Sequence, residues 1–123
     1  MSKKILIIED DEAISQNLST ALNGDYEIFQ ALTGTSGLEM AKENNPDLIL
    51  LDYMLPDISG FEVMRQLKEE EKFNEIPIVI LTNRTDSKTI SGILAAGGKE
   101  FWSKTDLSIN DIVQKVREIV EEY

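Results

Sequence analysis

Three stretches of the chain are apolar at every position, and two others mix apolar and polar residues. The apolar stretches are residues 5–8, 48–51 and 78–81. A strand that is covered on both faces has this continuous pattern, because a strand with one face in water alternates apolar and polar residues. The mixed stretches, residues 26–31 and 100–103, are typical of less buried strands at the edges of a sheet. The pattern therefore predicts five strands, three of them inside the sheet.

Apolar residues at helical spacing lie between these strands and after the last one. Ser36 with Glu39, and Ser59 with Glu62, have the spacing of a capping box, in which two residues at a helix start bond each other's backbone amides. Gly92 weakens the helix before the last strand. Five helices are predicted. The first covers residues 14–22, the second runs from Ser36 to residues 44–46, and the third runs from Ser59 to the charged, solvated residues 69–72. The fourth is a short helix around residues 90–94, and the fifth begins near Ser108.

The alternation of strands and helices predicts an α/β fold with a doubly wound, five-stranded parallel sheet. Strands one, three and four belong inside the sheet, whereas strands two and five belong at its edges. The order 2-1-3-4-5 meets this condition with right-handed crossovers. The expected architecture is a flavodoxin-like (βα)5 three-layer sandwich, and 123 residues fit one domain, residues 1–123.

The composition narrows the range of partners and sites. The chain has 12 Lys and Arg against 23 Asp and Glu, a net charge of -11, so we expect proteins or cations as partners rather than nucleic acid or anionic membranes. It has no Cys and no His, which excludes disulfides, thiolate nucleophiles and Ser-His triads. The first apolar stretch is too short for a signal peptide or a membrane span, and we expect a cytoplasmic protein.

Polar residues follow several of the predicted strands and should meet at one rim, because the carboxyl ends of parallel strands share an edge of the sheet. They are the acids of residues 9–12, Asp52, Thr82 and Lys104. Carboxylates without His or Cys offer hard oxygen ligands, for which magnesium is the default cation in cytoplasm. A metal, an ammonium and a hydroxyl around one carboxylate make a pocket for a phosphoryl group, with Asp52 as the nucleophile.

Each of these residues also has a plainer interpretation. Asp52 could cap the turn after its strand, and Asp11 and Glu12 could cap the first helix and interact with its dipole. Thr82 could cap a turn, and Lys104 could be an ordinary surface lysine. The capping interpretation weakens once two strands bring carboxylates to the same rim, since like charges placed together cost stability unless a cation or proton offsets them.

Over essentially its whole length the chain resembles the receiver domain of two-component response regulators, the CheY-like family. The signals that carry the resemblance are, in order, Glu9-Asp10, Asp52 with Pro56 and Gly60, Thr82, and Phe101 with Lys104. The resemblance implies that Asp52 is phosphorylated by a sensor histidine kinase, a phosphotransfer protein or a small acyl phosphate. The protein would catalyse its own aspartyl phosphorylation and slow dephosphorylation, without being a conventional enzyme.

The resemblance also assigns roles to the residues of the rim. It implies that Lys104 pairs with the phosphoryl group and that Thr82 moves in to hydrogen-bond it. Phe101, whose plainer interpretation is core packing, would then swing inward. This would change the surface of helix four, strand five and helix five, to which a downstream protein or output domain binds. The implied Mg2+ site consists of Glu9 acting through water, Asp10, Asp52 and the backbone carbonyl of Met54.

The chain departs from the family pattern at three places. Thr105 stands where the family usually has a proline that follows a cis peptide bond. A cis peptide bond before a residue other than proline costs about 3 kcal/mol. Asn83 is larger than the usual residue and would narrow the access to Asp52. Lys99-Glu100 replaces a common acidic pair, which argues against the dimer of the winged-helix transcription regulators, so we expect a monomer or a weak dimer.

Met54 and Arg84 occupy the positions at which family members tune the hydrolysis of the acyl phosphate. A thioether cannot orient an attacking water, and Arg84 could contact the phosphoryl oxygens, so slow self-dephosphorylation is expected.

Other classes of function fit less well. A flavodoxin-like FMN binder holds the phosphate with backbone amides after the first strand, where this chain has four acidic residues. A phosphatase with an aspartate nucleophile needs a second acid two residues further on, where this chain has Met54. The remaining alternative is a receiver-like module that binds partners without phosphorylation.

Overall fold

The computed structural model describes residues 3–83, 86–98, 100–104 and 106–122, in which strands and helices alternate. The strands are β1 (Lys4–Ile8), β2 (Glu27–Ala31), β3 (Leu48–Asp52), β4 (Ile78–Thr82) and β5 (Glu100–Ser103). The helices are α1 (Glu12–Leu22), α2 (Gly34–Asn44), α3 (Gly60–Glu69), α4 (Ser87–Ala95) and α5 (Ile109–Glu122), and a 3-10 helix covers Glu71–Phe73.

The strands form one parallel sheet in the order β2-β1-β3-β4-β5, which confirms the predicted doubly wound, flavodoxin-like fold. The inner strands β1, β3 and β4 are almost entirely buried, whereas the edge strands β2 and β5 are partly exposed. The continuous and mixed apolar stretches therefore predicted the strand positions correctly, because helices cover both faces of an inner strand.

Alternate side chains of the inner strands enter two separate cores. In β3, Leu48 and Leu50 pack with α1 and α5 on one face, whereas Ile49 and Leu51 pack with α2, α3 and α4 on the other. Successive side chains of a strand point to opposite faces, so one apolar stretch supplies both cores. The result is the expected sandwich of three layers.

The start of α2 differs from the prediction. The helix begins at Gly34 rather than at Ser36, because Thr33 is its N-cap and Ser36 completes the capping box. In addition, the Asp57 carboxylate accepts hydrogen bonds from the amides of Gly34 (2.8 Å) and Thr35 (2.9 Å). These amides of the first turn have no partner within the helix, so a carboxylate from another loop stabilises the earlier start.

The starts of α3 and α4 also differ in detail. Ser59 caps α3 as predicted, but the carboxylate of Glu62 bonds Arg65 rather than the backbone of the cap, so only half of the predicted box forms. α4 begins at Ser87, ahead of the apolar residues that predicted it, because Asp86 acts as its N-cap.

The charged residues 69–72 are largely exposed, as predicted, but the prediction missed the 3-10 helix there. Phe73 anchors this helix in the core and is completely buried. The ammonium of Lys68 donates to the carbonyls of Phe73, Asn74 and Ile76 at 2.9 to 3.3 Å. A buried aromatic ring and a cation therefore hold a segment whose local sequence is that of a solvated loop.

Three residues with a predicted role lie outside the described part of the chain: Arg84, Lys99 and Thr105. The expectations for them stay predictions. Among the helices of the described residues, none has the length and apolar character needed to cross a membrane.

Gly60 joins β3 to α3 at close range. Its amide donates to the carbonyl of Tyr53 at 2.8 Å. A Cβ atom at residue 60 would overlap the backbone oxygen of Asp52, and this backbone cannot rotate away as a side chain could. The absence of a side chain at Gly60 therefore lets α3 start directly against the end of the strand that carries Asp52.

We predict that Gly60→Ala destabilises the protein by about 1–3 kcal/mol, the usual effect of overpacking. Urea unfolding of the variant and the parent measures the difference. Gly24→Ala is the matched control, because a Cβ at residue 24 meets no atom within 4 Å, and its effect should stay within about 0.5 kcal/mol. Equal effects of the two substitutions would contradict the close approach at Gly60.

Candidate functional site

Asp52 ends β3 at the carboxyl edge of the sheet, as predicted. Its Cα is paired with Leu81 of the neighbouring strand β4. The residue is only 4% exposed, because buried strands flank it on both sides. The apolar stretch of β3 therefore brings a carboxylate to a site with little water around it.

Glu9 and Asp10 follow β1, next to the end of β3. Glu9 is completely buried, and its Oε2 accepts a hydrogen bond from the amide of Asp11 at 3.1 Å. Asp11 is the N-cap of α1 and accepts from the amide of Ile14 at 3.1 Å, so the capping interpretation is correct for Asp11. One carboxylate oxygen from each of Glu9, Asp10 and Asp52 lies within 4.8 Å of the others. These three acids form a carboxylate cluster.

Lys104 is the cation of the site. Its Nζ lies 2.7 Å from Oε1 of Glu9 and 3.3 Å from Oδ1 of Asp52. The backbone amide of Lys104 donates to the carbonyl of Thr82 at 3.1 Å, which fixes the lysine beside the end of β4. Burial by itself would lower the pKa of Lys104, but the two carboxylates outweigh it and raise the pKa above its ordinary value. Lys104 is therefore charged, and it is not an ordinary surface lysine.

The pKa of the Asp52 carboxyl is raised well above its ordinary value. Burial raises its pKa, and the neighbouring Glu9 raises it further. Lys104 acts in the opposite direction, and the net result is a pKa of about 7. Near neutral pH, Asp52 is therefore balanced between its neutral and ionised forms, and an added positive charge favours the ionised one.

Most of the predicted site residues line one open cavity of about 300 Å³ above the ends of the strands. Thr82 is almost completely buried at the end of β4, and the exposed Asn83 follows it at the rim. Glu9 lies beneath the rim, in contact with Lys104. The residues that line the cavity are Asp10, Asp11, Asp52, Met54, Thr82, Asn83 and Lys104.

The carboxylate cluster fits a hard divalent cation. With all groups ionised, its three carboxylates and the Lys104 ammonium carry a net charge of two negative units. Oxygen ligands are those that magnesium, calcium and manganese prefer. The exposed Asp10 gives the cluster access to solvent, whereas Glu9 and Asp52 are buried.

Phe101 lies in β5 away from the cavity. Its side chain is partly buried and packs against the core on the α2–α3–α4 face. Its Cα is paired with Ile80, two residues before Thr82. The core packing that the sequence allowed is therefore observed, and the predicted movement of Phe101 stays a prediction.

Asp57 is a residue of the site's surroundings that the sequence reasoning missed. It belongs to the loop between β3 and α3 that also carries Met54. Besides its bonds to the first amides of α2, it accepts from the hydroxyl of Thr35 at 2.5 Å. This hydroxyl and these amides hold the pKa of Asp57 well below its usual range. The signal is not local, because the partners of Asp57 lie more than twenty residues earlier in the chain.

Comparisons with known proteins point to one family. The family model of the response regulator receiver domain matches residues 5–117. The transcriptional regulatory protein AfsQ1 of Streptomyces coelicolor is 38% identical over 101 residues, which cover 81% of this chain and 44% of AfsQ1. The polar-differentiation response regulator DivK of Brucella ovis is 30% identical over 121 residues, 95% of each protein. The chain thus spans less than half of AfsQ1 and nearly all of DivK.

The solved structures agree with the sequence comparisons. The crystal structure of a CheY-like response regulator receiver domain protein from Methanospirillum hungatei JF-1 superposes with a TM-score of 0.91 at 26% identity. The match covers 99% of this chain and 96% of that chain. The similarity therefore extends over the whole sheet and its helices.

The raised pKa of Asp52 makes its effect on stability depend on pH. In the unfolded chain Asp52 ionises near 3.8, whereas in the folded protein it keeps its proton up to about pH 7. Between these values only the folded state holds the proton, so the contribution of Asp52 to stability falls as the pH rises. Without divalent cations, Asp52→Asn should therefore stabilise the protein more at about pH 8 than at about pH 5.

Urea unfolding at the two pH values measures this change. One pKa unit corresponds to about 1.4 kcal/mol, so even a third of the shift is detectable. Asp47→Asn is the control, because Asp47 is exposed at the opposite end of β3 and loses the same charge. A gain from Asp52→Asn that is the same at both pH values would contradict the raised pKa.

Proposed function

Because the chain belongs to the family of response regulator receiver domains, we propose that it takes up a phosphoryl group on Asp52 and thereby switches a surface for partner binding. The observation that carries the proposal is the cavity in which the buried Asp52 carboxylate lies 3.3 Å from Lys104, beside Glu9 and Asp10. The proposal assigns this role to one receiver domain that spans residues 1–123.

In the proposed reaction an oxygen of the ionised Asp52 attacks the phosphorus of a phosphohistidine or an acyl phosphate. The new P–O bond forms as the bond to the donor group breaks, and the donor keeps the electron pair. The Lys104 ammonium offsets charge on the phosphoryl oxygens, and the hydroxyl of Thr82 donates a hydrogen bond to them. Each of these groups lines the same cavity as Asp52.

Mg2+ is the proposed cofactor. It would be held by Asp10, Asp52 and the backbone carbonyl of Met54, with Glu9 acting through water. When bound, it supplies positive charge that stabilises the ionised Asp52 and the phosphoryl oxygens. The mutual repulsion of the buried carboxylates supports this part of the proposal, because it favours any cation that enters the cluster.

The proposed partners lie upstream and downstream in a phosphorelay. Receiver domains interact with histidine kinases and with output domains, so a sensor histidine kinase or phosphotransfer protein would supply the phosphoryl group. A downstream protein or output domain would bind the surface of α4, β5 and α5, after Thr82 and Phe101 have moved. Leu94 of α4 is 49% exposed and offers a partner an apolar contact. A monomer or weak dimer in the cytoplasm stays our expectation.

The test of the proposal is incubation with acetyl phosphate and Mg2+, followed by mass spectrometry of the intact protein. The parent should gain the mass of one phosphoryl group, because Asp52 offers one nucleophile. Asp52→Asn should gain none, whereas the control Asp47→Asn, which changes an exposed acid at the opposite end of β3, should behave as the parent. An unmodified parent would reject the proposal and favour the alternative, a receiver-like module that binds without phosphorylation.

We also predict that Mg2+ stabilises the unphosphorylated protein. The unfolded chain has no assembled carboxylate cluster, so the cation binds the folded state selectively. At a tenfold excess over its dissociation constant, Mg2+ should add about 1.4 kcal/mol to the free energy of unfolding. Asp10→Asn should remove most of this gain, whereas Asp47→Asn should keep it. Melting temperatures with and without Mg2+ measure the effect. If Mg2+ leaves the melting temperatures of the parent and of Asp10→Asn equally unchanged, the result counts against the site.

A further inference from the structure

The thioethers of this protein differ greatly in their exposure to solvent. The chain has four methionines and no cysteine, so methionine provides all of its sulfur. Met54 is 63% exposed, whereas Met64 is completely buried in the core. Met40 is partly buried against the same core as Met64, and Met1 lies outside the described residues. Of the described methionines, Met54 is therefore by far the most accessible to a dissolved oxidant.

The exposed thioether lies at the mouth of the candidate site. Met54 lines the same cavity as Asp52, Thr82 and Lys104. Its backbone amide lies 3.5 Å from Oδ1 of Asp52, so the residue is held close to the carboxylate. A chemical change of this side chain therefore alters the space through which water reaches Asp52.

We propose that Met54 is an oxidation site through which hydrogen peroxide shortens the lifetime of the phosphoryl group on Asp52. A lone pair of the Met54 sulfur attacks one peroxide oxygen, the O–O bond breaks, and after proton transfer the second oxygen leaves as water. The sulfur loses two electrons and gains one oxygen, and the peroxide is reduced. This inference rests on the proposed phosphorylation of Asp52.

The direction of the effect follows from the hydrogen-bonding capacity of sulfur. A thioether is a weak acceptor, whereas a sulfoxide is polar and accepts strongly through its oxygen. A sulfoxide at the mouth of the cavity can orient a water toward the phosphorus of phosphorylated Asp52, and correct orientation lowers the barrier to hydrolysis. One added hydrogen bond of ordinary strength corresponds to about a fivefold faster decay.

Among the residues that the structure describes, the other side chains that react with oxidants are less exposed than Met54. Trp102 is 3% exposed, and its indole nitrogen donates to the carboxylate of Glu100. No thiol competes for the oxidant, because the chain has no cysteine. Limited treatment with peroxide should therefore act at Met54 well before it reaches Met64.

The experiment compares peroxide-treated and untreated samples of the full chain. Peptide mass mapping locates the added oxygen, and both samples are then phosphorylated with acetyl phosphate and Mg2+. After removal of the donor, the decay of the phosphorylated protein is followed by intact mass. We expect oxidation at Met54 without oxidation of Met64, and a decay that is about fivefold faster after treatment.

Two variants separate Met54 from the other methionines, and each is compared with its own untreated sample. Met54→Leu should show no change of decay on treatment, whereas Met40→Leu should respond as the parent does. The inference would be overturned if the protein oxidised at Met54 decayed no faster than the untreated protein, or if peroxide still accelerated the decay of Met54→Leu. Either result would leave the proposed phosphorylation of Asp52 intact. If the untreated parent takes up no phosphoryl group, the proposed function itself fails, and the inference fails with it.

Discussion

Two carboxylates buried beside each other impose the main constraint on this structure. Glu9 directly follows β1, Asp52 ends the adjacent strand β3, and both side chains are buried. Their repulsion would oppose folding if the site offered no positive charge. Lys104 reaches across the end of β4 to contact both, and its backbone amide bonds Thr82 at that strand end. Burial raises the pKa of Asp52, Glu9 raises it further, and the Lys104 ammonium offsets these effects only in part. Glu9, Asp52 and the neighbouring Asp10 therefore form a group that could hold a metal ion.

Much of this arrangement could be predicted from the sequence, because burial and strand position are linked. Each inner strand contains four consecutive apolar residues, since helices cover both of its faces. Once the strand order followed from this pattern, the residues after each strand had to meet at one edge. Glu9, Asp10, Asp52, Thr82 and Lys104 do meet there. The proximity of the site residues is thus a consequence of topology, and it needed no prediction of side-chain contacts.

The features that the sequence did not predict depend on which partners a side chain contacts in the folded protein. The earlier start of α2 depends on Asp57, whose carboxylate comes from the loop after β3. The 3-10 helix depends on the burial of Phe73 and on the ammonium of Lys68, which bonds three of its neighbouring carbonyls. Glu62 fits the pattern of a capping box, yet it bonds Arg65 on the helix surface. In each case the folded structure, rather than the local sequence pattern, selects the groups that the side chain contacts.

The pairing of β4 with β5 gives a physical route from the site to the proposed partner surface. In this register Ile80 is paired with Phe101, and Thr82 is paired with Ser103. Ile80 and Phe101 pack on the α2–α3–α4 face, and because side chains alternate along a strand, Thr82 points to that face as well. Trp102 points to the opposite core, where it is almost completely buried. A movement of the Thr82 hydroxyl toward a phosphoryl group would therefore free space on the side of Phe101, whose partly buried ring can respond to it.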